Sequence, residues 1–571
     1  MQKVIEKYVI INYKSFIIFF LLYFNFLDGN NKSQIKSEFL KDNKCGFFHF
    51  NQNLNHVEKK DKKLYKNFSN SFINQIRPQN NNQFLDTEYF RIHYALNGPN
   101  AVDPTDENFN DIPDFIDNLA NAADYTYEVL INNLNYNKPP SDGWQENNGG
   151  SGAYDIYVND LNFVFYGYTT PENLSNSFNG DNENSPQNEK NSVTSYIVIN
   201  NDLESMNCEN FDCVKTTFAH EFFHAIQLGY DSRDQLWFLE ATATWVEDEV
   251  FDEINDNYQY LKFWMEIPHV ALDKHRSPYW YGSWIFFRYI SEHLGGPETI
   301  REIFNQSIVD DNSIDNFNLE TIDKILKSKG SSFREILNKM SIANYLLTSN
   351  SNLTEFNYEE ADQYREYGIE PHIHQSLGIN STNTLIEYFG PSFMHNSSHY
   401  INLSLNNEIN NLEIDFSTLE NSNMSAYLIS NRTSNNLNIH RIRSSTPVPI
   451  YKGNNLLSII LTTDSVSYFD YHYSIKLKTD IKFPTSLYID YNFPNPFNNF
   501  TWIRFFIPVY ENISLSIIDI NGRKVKDIPI DRFQVGYNEL KVDTSNLTSG
   551  IYFFKLDGET NSISKKITLI K

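Results

Sequence analysis

Thr217-Phe218-Ala219-His220-Glu221-Phe222-Phe223-His224-Ala225-Ile226-Gln227 contains HExxH in a run whose apolar residues recur at helical spacing. Histidines four residues apart lie one above the other on one helix face, so both imidazoles can reach a single metal ion. Glu221 sits beside them and can take a proton from a water that the metal activates. Phe218, Phe222, Ala225 and Ile226 would bury the face away from the metal, and Gly229 offers a stop. A hydrolytic zinc ion usually has three protein ligands and one open position. The next helical pattern, Leu236 to Glu247, supplies Glu240 as candidate third ligand, and Glu247, two turns on, as the acceptor that fixes a ligand histidine's tautomer. Any one of these residues alone is more often a core histidine or a solvated carboxylate. Together, and in this order, they favour a metal site.

Here the chain resembles the gluzincin metallopeptidases, in which a glutamate ligand follows HExxH on the next helix in an E-x4-aromatic-x-E pattern; Glu240, Trp245 and Glu247 match it. Pro278-Tyr279-Trp280-Tyr281-Gly282 looks like the P-Y-x-x-G segment of gluzincin aminopeptidases. The resemblance assigns Tyr279 to stabilising the oxyanion, with Tyr281 as its substitute. The gap from His224 to Glu240 is slightly shorter than in those aminopeptidases, and no G-x-M-E-N segment is present to capture a free N-terminus. The resemblance therefore implies a zinc (Zn2+) endopeptidase acting on protein or peptide substrates, with an α+β, zincin-like domain. Overall the chain is similar to secreted bacterial zinc metallopeptidases that carry a C-terminal sorting domain.

The 571 residues exceed what one core can organise, and 15% aromatics provide apolar area for several. A net charge of −26 excludes a phosphate-binding basic face, so nucleic acid is not a partner. Three lysines, at positions 3, 7 and 14, precede the apolar run from Ser15 to Leu27, a signal-peptide core too short to span a bilayer comfortably; no later segment could cross one. Cysteines occur only at 45, 208 and 213, and Cys208 and Cys213 are spaced to close a small disulfide loop in an oxidising compartment.

Residues 28–85 are rich in Lys and Asn and suggest a pro-segment or linker. Within them, Lys44-Cys45-Gly46 raises the idea of a thiolate that occupies the open zinc position and holds the enzyme latent, although one cysteine in a removable segment is more simply incidental. Folded structure is expected from about Asp86, with a strand over Glu88 to Tyr94 and a helix within Ile112 to Leu130. Between these, Asp106, Asn108, Asn110, Asp114 and Asp117, with the carbonyl of Ile112, follow an EF-hand-like calcium (Ca2+) spacing. Asp111 stands where glycine is usual, and Asp117 is shorter than the usual glutamate. Tyr154 to Val158 and Ser195 to Ile199 are expected strands separated by a polar stretch over 172–191. Helices are expected from Pro278 to about Tyr345.

Beyond about Ser376, alternation between Asn/Ser turns, as in His399 to Leu405 and Leu456 to Leu461, predicts a β-sandwich. From Phe483, the segments Tyr491 to Phe497, Ser516 to Arg523 with the Asn521-Gly522 hairpin turn, and Leu547 to Phe554 look like the sorting domain of the type IX secretion system. That resemblance implies passage across an outer membrane by the type IX machinery, with release or attachment at the cell surface and no integral membrane segment in the mature protein. The expected order is signal peptide (1–27), pro-segment (28–85), α+β metallopeptidase domain (86–375), β-sandwich (376–480) and a second β-sandwich for sorting (481–571). The rival reading is a surface adhesin or glycan-binding protein with an inactive metallopeptidase-like domain. An intact Glu221 argues against it.

Overall fold

A computed structural model describes Cys45 and most of residues 77–571. Residue 80, the connections 162–164, 204–210, 275–277, 310–316 and 351–352, and several stretches beyond residue 382 lie outside the described residues. The signal-peptide core, most of the pro-segment and Cys208 are outside them too, so the Cys208–Cys213 bridge has only one described end. The chain forms two compact units: Met1–Ile267 with Leu272–Glu370, and Pro268–Ala271 with Pro371–Lys571.

The first unit is built on a five-stranded sheet of β1 (Gln83–Asp86), β2 (Phe90–Tyr94), β3 (Tyr154–Asn159), β4 (Gly167–Leu174) and β5 (Val193–Asn200), in the order β1-β2-β3-β5-β4. Strands β2, β3 and β5 are parallel; β1 and β4 run antiparallel at the two edges. The apolar runs of β3 and β5 suit central strands covered on both faces, and Ile156, Val158, Ile197, Val198 and Ile199 are fully buried. Strand β4 runs into the stretch expected to be a polar spacer. Pro171 breaks its pattern, but an edge strand tolerates a missing donor.

The unit also begins before Asp86, where the fold was expected to start. Arg77 is buried at 1% exposure. It forms a bidentate pair with Glu172 of β4 at 2.7 and 2.6 Å and also bonds Asp142 and Asp155 of β3. Burial pushes the Asp142 carboxyl up to about 7 against the pull of Arg77. A sequence reading misses this anchor because it depends on carboxylates far along the chain.

Helix α1 (Asp114–Tyr127) continues into a π-helical turn (Glu128–Asn133) and is followed by short α2 (Ser175–Phe178), α3 (Asp212–Tyr230) and α4 (Leu236–Val250). Helix α3 carries HExxH and lies against the sheet, with Phe218 and Phe222 edge-on to Phe90 of β2 at 5.4 and 5.2 Å. Its other side is buried too, with Phe223 packed on Phe304 at 5.5 Å. The helix is therefore a core element and not the one-sided helix its spacing suggested. Phe222→Ala would cost about 3–5 kcal/mol. Gly229 does not stop it: the helix continues to Tyr230, and Gly229 instead admits Pro140 and Asn182, which a Cβ would meet at 3.1 and 3.2 Å. Helices α5 (Tyr258–Glu266), α6 (Tyr279–Gly282), α7 (Trp284–His293), α8 (Glu298–Val309), α9 (Phe317–Ser328), α10 (Phe333–Leu346) and α11 (Ala361–Glu366) complete the unit, in line with the helical patterns expected after Pro278. A buried Asp248–Arg288 pair joins α4 to α7.

In the second unit, a sheet in the order β11-β10-β13-β8-β6 shares one core with a sheet in the order β12-β9-β14-β7. These are β6 (Gln375–Ile379), β7 (Leu385–Phe389), β8 (Ser398–Leu405), β9 (Asn411–Thr418), β10 (Met424–Ser430), β11 (Asn438–Ile442), β12 (Thr446–Pro449), β13 (Leu456–Thr463) and β14 (Tyr473–Thr479). Leu403, Leu428 and Ile459 meet Ile414, Ile475 and Leu477 there, as the alternation of inward and outward residues requires. A second pair of sheets follows, β15-β16-β19 and β18-β17-β20-β21: β15 (Tyr488–Phe493), β16 (Phe500–Ile507), β17 (Ser514–Asp519), β18 (Lys524–Ile528), β19 (Gly536–Asp543), β20 (Gly550–Asp557) and β21 (Ser562–Leu569). Its core joins Ile503 and Phe505 to Ile517 and Phe554. The β17–β18 hairpin turns at Asn521-Gly522, with Gly522 at φ +78°. The architecture is multidomain, α+β followed by β-sheet pairs.

Candidate metal centre

Helices α3 and α4 pack side by side and bring His220, His224 and Glu240 together. His220 Nδ1 donates to Glu247 Oε1 at 2.7 Å. His224 Nδ1 faces Gln227 Oε1 at 2.7 Å, while the Gln227 amide donates to the Leu239 carbonyl and the Thr242 hydroxyl, both at 2.9 Å. With its amide nitrogen committed, Gln227 can only accept through oxygen, so His224 carries its proton on Nδ1. Both Nε2 lone pairs are thereby turned inward.

These two Nε2 atoms lie 3.1 Å apart, and Glu240 Oε2 lies 3.4 Å from one and 3.6 Å from the other. In a tetrahedral site with zinc–nitrogen bonds near 2.0–2.1 Å, neighbouring ligand atoms are about 3.3 Å apart. Glu240 is fully buried, and neither of its oxygens has a hydrogen-bond partner among the described residues. Facing lone pairs beside an unpartnered buried carboxylate require positive charge, so the residues fit a zinc ion. The same demand shows in their protonation. His220 rises to about 9 despite its burial, because Glu240 and Glu247 favour the cation; Glu240 is held down at about 2 against its burial, first by the His224 charge.

Glu221 is placed by strand β4. The Thr169 hydroxyl lies 2.6 Å from the Glu221 carbonyl and 2.9 Å from its carboxylate Oε2. Of the two tyrosines considered for the oxyanion, Tyr281 has its ring 6.1 Å from that of His220. Burial, and next the Glu240 charge, push its hydroxyl well above the usual range. Tyr279 instead stacks on Trp264 at 6.4 Å. On this short helix, residues two apart face different ways.

Cys45 joins the cluster: its sulfur and the ligand atoms of His220, His224 and Glu240 all lie within 4.8 Å of one another. Sequence reasoning left Thr169 and Gln227 without a role. Gln227 was visible in principle, three residues beyond His224 on the same face; Thr169 was not, because its strand went unrecognised.

The loop before α1 gathers Asp106, Asn108, Asn110 and Asp117. The Asn108 and Asn110 amides donate to Asp117 Oδ2 at 2.7 and 2.8 Å, and Asp106 accepts from the backbone N–H of Asn110 and Asp111. Asp111 has φ +66°, the left-handed conformation for which the usual glycine is suited. Asp114 accepts from the Glu107 N–H at 3.2 Å, and the Ile112 N–H binds the Asn110 side-chain oxygen at 2.9 Å.

Residues 492–571 match the family described as Secretion system C-terminal sorting domain. This chain carries a type IX secretion sorting domain. It is exported by that machinery to the cell surface or the extracellular space. Among the described residues no helix is long and apolar enough to cross a membrane. Residues 199–345 match a Family of unknown function (DUF6055), a span that holds α3, α4 and the two tyrosines. No curated protein matches the chain. Similar solved structures include the Yersinia pseudotuberculosis-derived mitogen, at 16% identity over 18% of this chain and 92% of that one, with a TM-score of 0.14. The extracellular region of zebrafish Gpr126/Adgrg6 is similar at 12% identity over 33% and 31%, TM-score 0.13. The adhesin domain of Epf from Streptococcus pyogenes is similar at 8% over 33% and 78%, TM-score 0.13. Scores this low carry no argument about fold or activity.

Proposed function

We propose that the sorted chain is a secreted zinc-dependent endopeptidase. The observation that supports this reading most is the triangle of His220 Nε2, His224 Nε2 and Glu240 Oε2, with edges of 3.1, 3.4 and 3.6 Å around an unpartnered carboxylate. Zinc held there would supply Lewis-acid activation of a water and of the scissile carbonyl. Glu221, with one oxygen fixed by Thr169, accepts the proton of the attacking water and returns it to the leaving nitrogen. Tyr281, whose ring lies beside that of His220, offers a hydroxyl for the developing oxyanion alongside the expected Tyr279. Strand β4, an edge strand of the sheet packed on the helix, gives an extended peptide a strand to pair with.

The experiment is metal analysis and casein hydrolysis by the secreted protein, with and without chelator, for the parent and Glu221→Gln. The reading expects one bound zinc in both proteins and a roughly hundred- to ten-thousand-fold slower hydrolysis in the variant. Zinc without hydrolysis in either protein, even after trypsin has removed the residues ahead of Arg77, would favour the adhesin-like rival. Absence of zinc would remove the metal reading altogether.

A further inference from the structure

We propose that Cys45 is the fourth ligand of the metal centre, so that the full chain is a latent precursor. This inference rests on the zinc reading above and adds a regulatory device to it.

Three observations place the cysteine. Its sulfur lies within 4.8 Å of the three ligand atoms, on a chain position 175 residues or more away in sequence from His220. It is buried at 3% exposure, beside Glu240, whose two oxygens are unpartnered and fully buried. It also forms a parallel backbone bridge with Gly167, the first residue of β4, an edge strand of the sheet. Cys45 thus stands at both places a substrate needs, beside the three ligand atoms and against the first residue of the edge strand.

The chemistry follows from ligand counting. Two histidines and a carboxylate leave zinc one open position, as hydrolysis requires; a thiolate there closes the set, as in structural sites. Zinc binds thiolate well, and the Cys45 proton is released to solvent as the sulfur–metal bond forms. Water is then displaced from the place where Glu221 would act on it. Tethering keeps the sulfur at a high effective concentration, and cutting the tether abolishes that advantage. Between Cys45 and the buried anchor Arg77 the sequence runs Glu58-Lys59-Lys60-Asp61-Lys62-Lys63, which a protease specific for basic residues cuts. A cut there releases the Cys45 segment and leaves Arg77 in the fold.

The test uses the full chain loaded with cobalt(II), whose absorption reports a thiolate ligand by a sulfur-to-metal charge-transfer band. The band should be present in the parent and absent in Cys45→Ser, Cys45→Ala and the chain cleaved with trypsin at the lysine cluster. Zinc should slow alkylation of Cys45, read by peptide mass spectrometry, and Cys45→Ser should weaken metal binding by at least the roughly 10- to 100-fold that loss of an outer partner costs. Peptidase activity should appear only in the cleaved or substituted proteins. A band that persists in Cys45→Ser, or Cys45 alkylation unaffected by zinc, overturns the inference while leaving the zinc reading intact. Failure of the parent to bind cobalt or zinc overturns both. Alkylation of the unsubstituted chain decides the matter even if the variants do not fold.

Discussion

Two clusters of metal-ligating side chains occur among the described residues: His220, His224 and Glu240 with Cys45 in the first unit, and His269, His374 and His399 in the second. Proximity does not distinguish them; the direction of the lone pairs does. In the first, Glu247 and Gln227 take the Nδ1 protons from outside and turn both Nε2 atoms toward a carboxylate without partners. In the second, His374 and His399 are stacked, with centroids 3.9 Å apart and planes at 27°, so their in-plane lone pairs do not converge. His374 Nδ1 accepts the Tyr400 N–H, which puts its proton on Nε2, facing His269 Nδ1 at 3.2 Å. His399 Nδ1 pairs with the Tyr473 hydroxyl. No carboxylate belongs to this group. The lesson is that outer hydrogen bonds, which decide where the protons sit, separate the candidate zinc centre from a layer of neutral rings.

The largest expected effect breaks the comparison most directly. His224→Ala should reduce zinc from one per chain to none, whereas His374→Ala should leave it at one, by mass-spectrometric metal analysis. Equal losses in the two variants would show that the clusters are alike. Next, Gln227→Ala removes only the oxygen that orients His224 and should weaken zinc binding by about 10- to 100-fold, measured by chelator competition. Unchanged affinity would remove the argument from outer partners.

Acid should affect the second cluster. Burial first, and then the neighbouring histidines, lower His399 to about 2 and His374 to about 3. Above pH 6.5 these groups are neutral whether the chain is folded or unfolded. As pH falls below that value the unfolded chain takes up protons that the fold refuses, so stability is lost, by up to about 1.4 kcal/mol per pH unit for buried His399. The loss continues until the folded values are reached. Thermal melts of the second unit between pH 7 and 5 should show this slope, and His399→Phe should make it shallower; a flat profile in the parent would contradict a neutral cluster.

The smallest effect concerns the loop at Asp106 to Asp117. Calcium should raise the melting temperature by mass action, and Asp106→Ala should remove the gain. Because the Asn108 and Asn110 amides now donate to Asp117, a cation would require those amides to turn their oxygens inward. A melting temperature independent of calcium after chelator treatment would leave the loop as a helix-leading turn.

Local pattern alone determined much of this protein. The spacing of His220, Glu221 and His224, the helix bearing Glu240 and Glu247, the alternation that marks the sandwich strands and the Asn521-Gly522 turn all depend on residues a few positions apart, and the sorting segments lie close together in the chain. Only tertiary structure decided what depends on distant residues meeting. Arg77 acquires its meaning from Asp142, Asp155 and Glu172, the edge strand β4 from the sheet it joins, and Thr169 from Glu221. The ring contact of Tyr281 with His220, and that of Tyr279 with Trp264, arise from the packing of a short helix against distant elements. Cys45 is the extreme case: as one cysteine in a Lys/Asn-rich stretch it appeared incidental, and its place beside His220, His224 and Glu240 is shared with a bridge to a strand more than a hundred residues away in sequence. Periodicity carries no information about such pairings, because they are selected by burial and charge compensation in the folded chain.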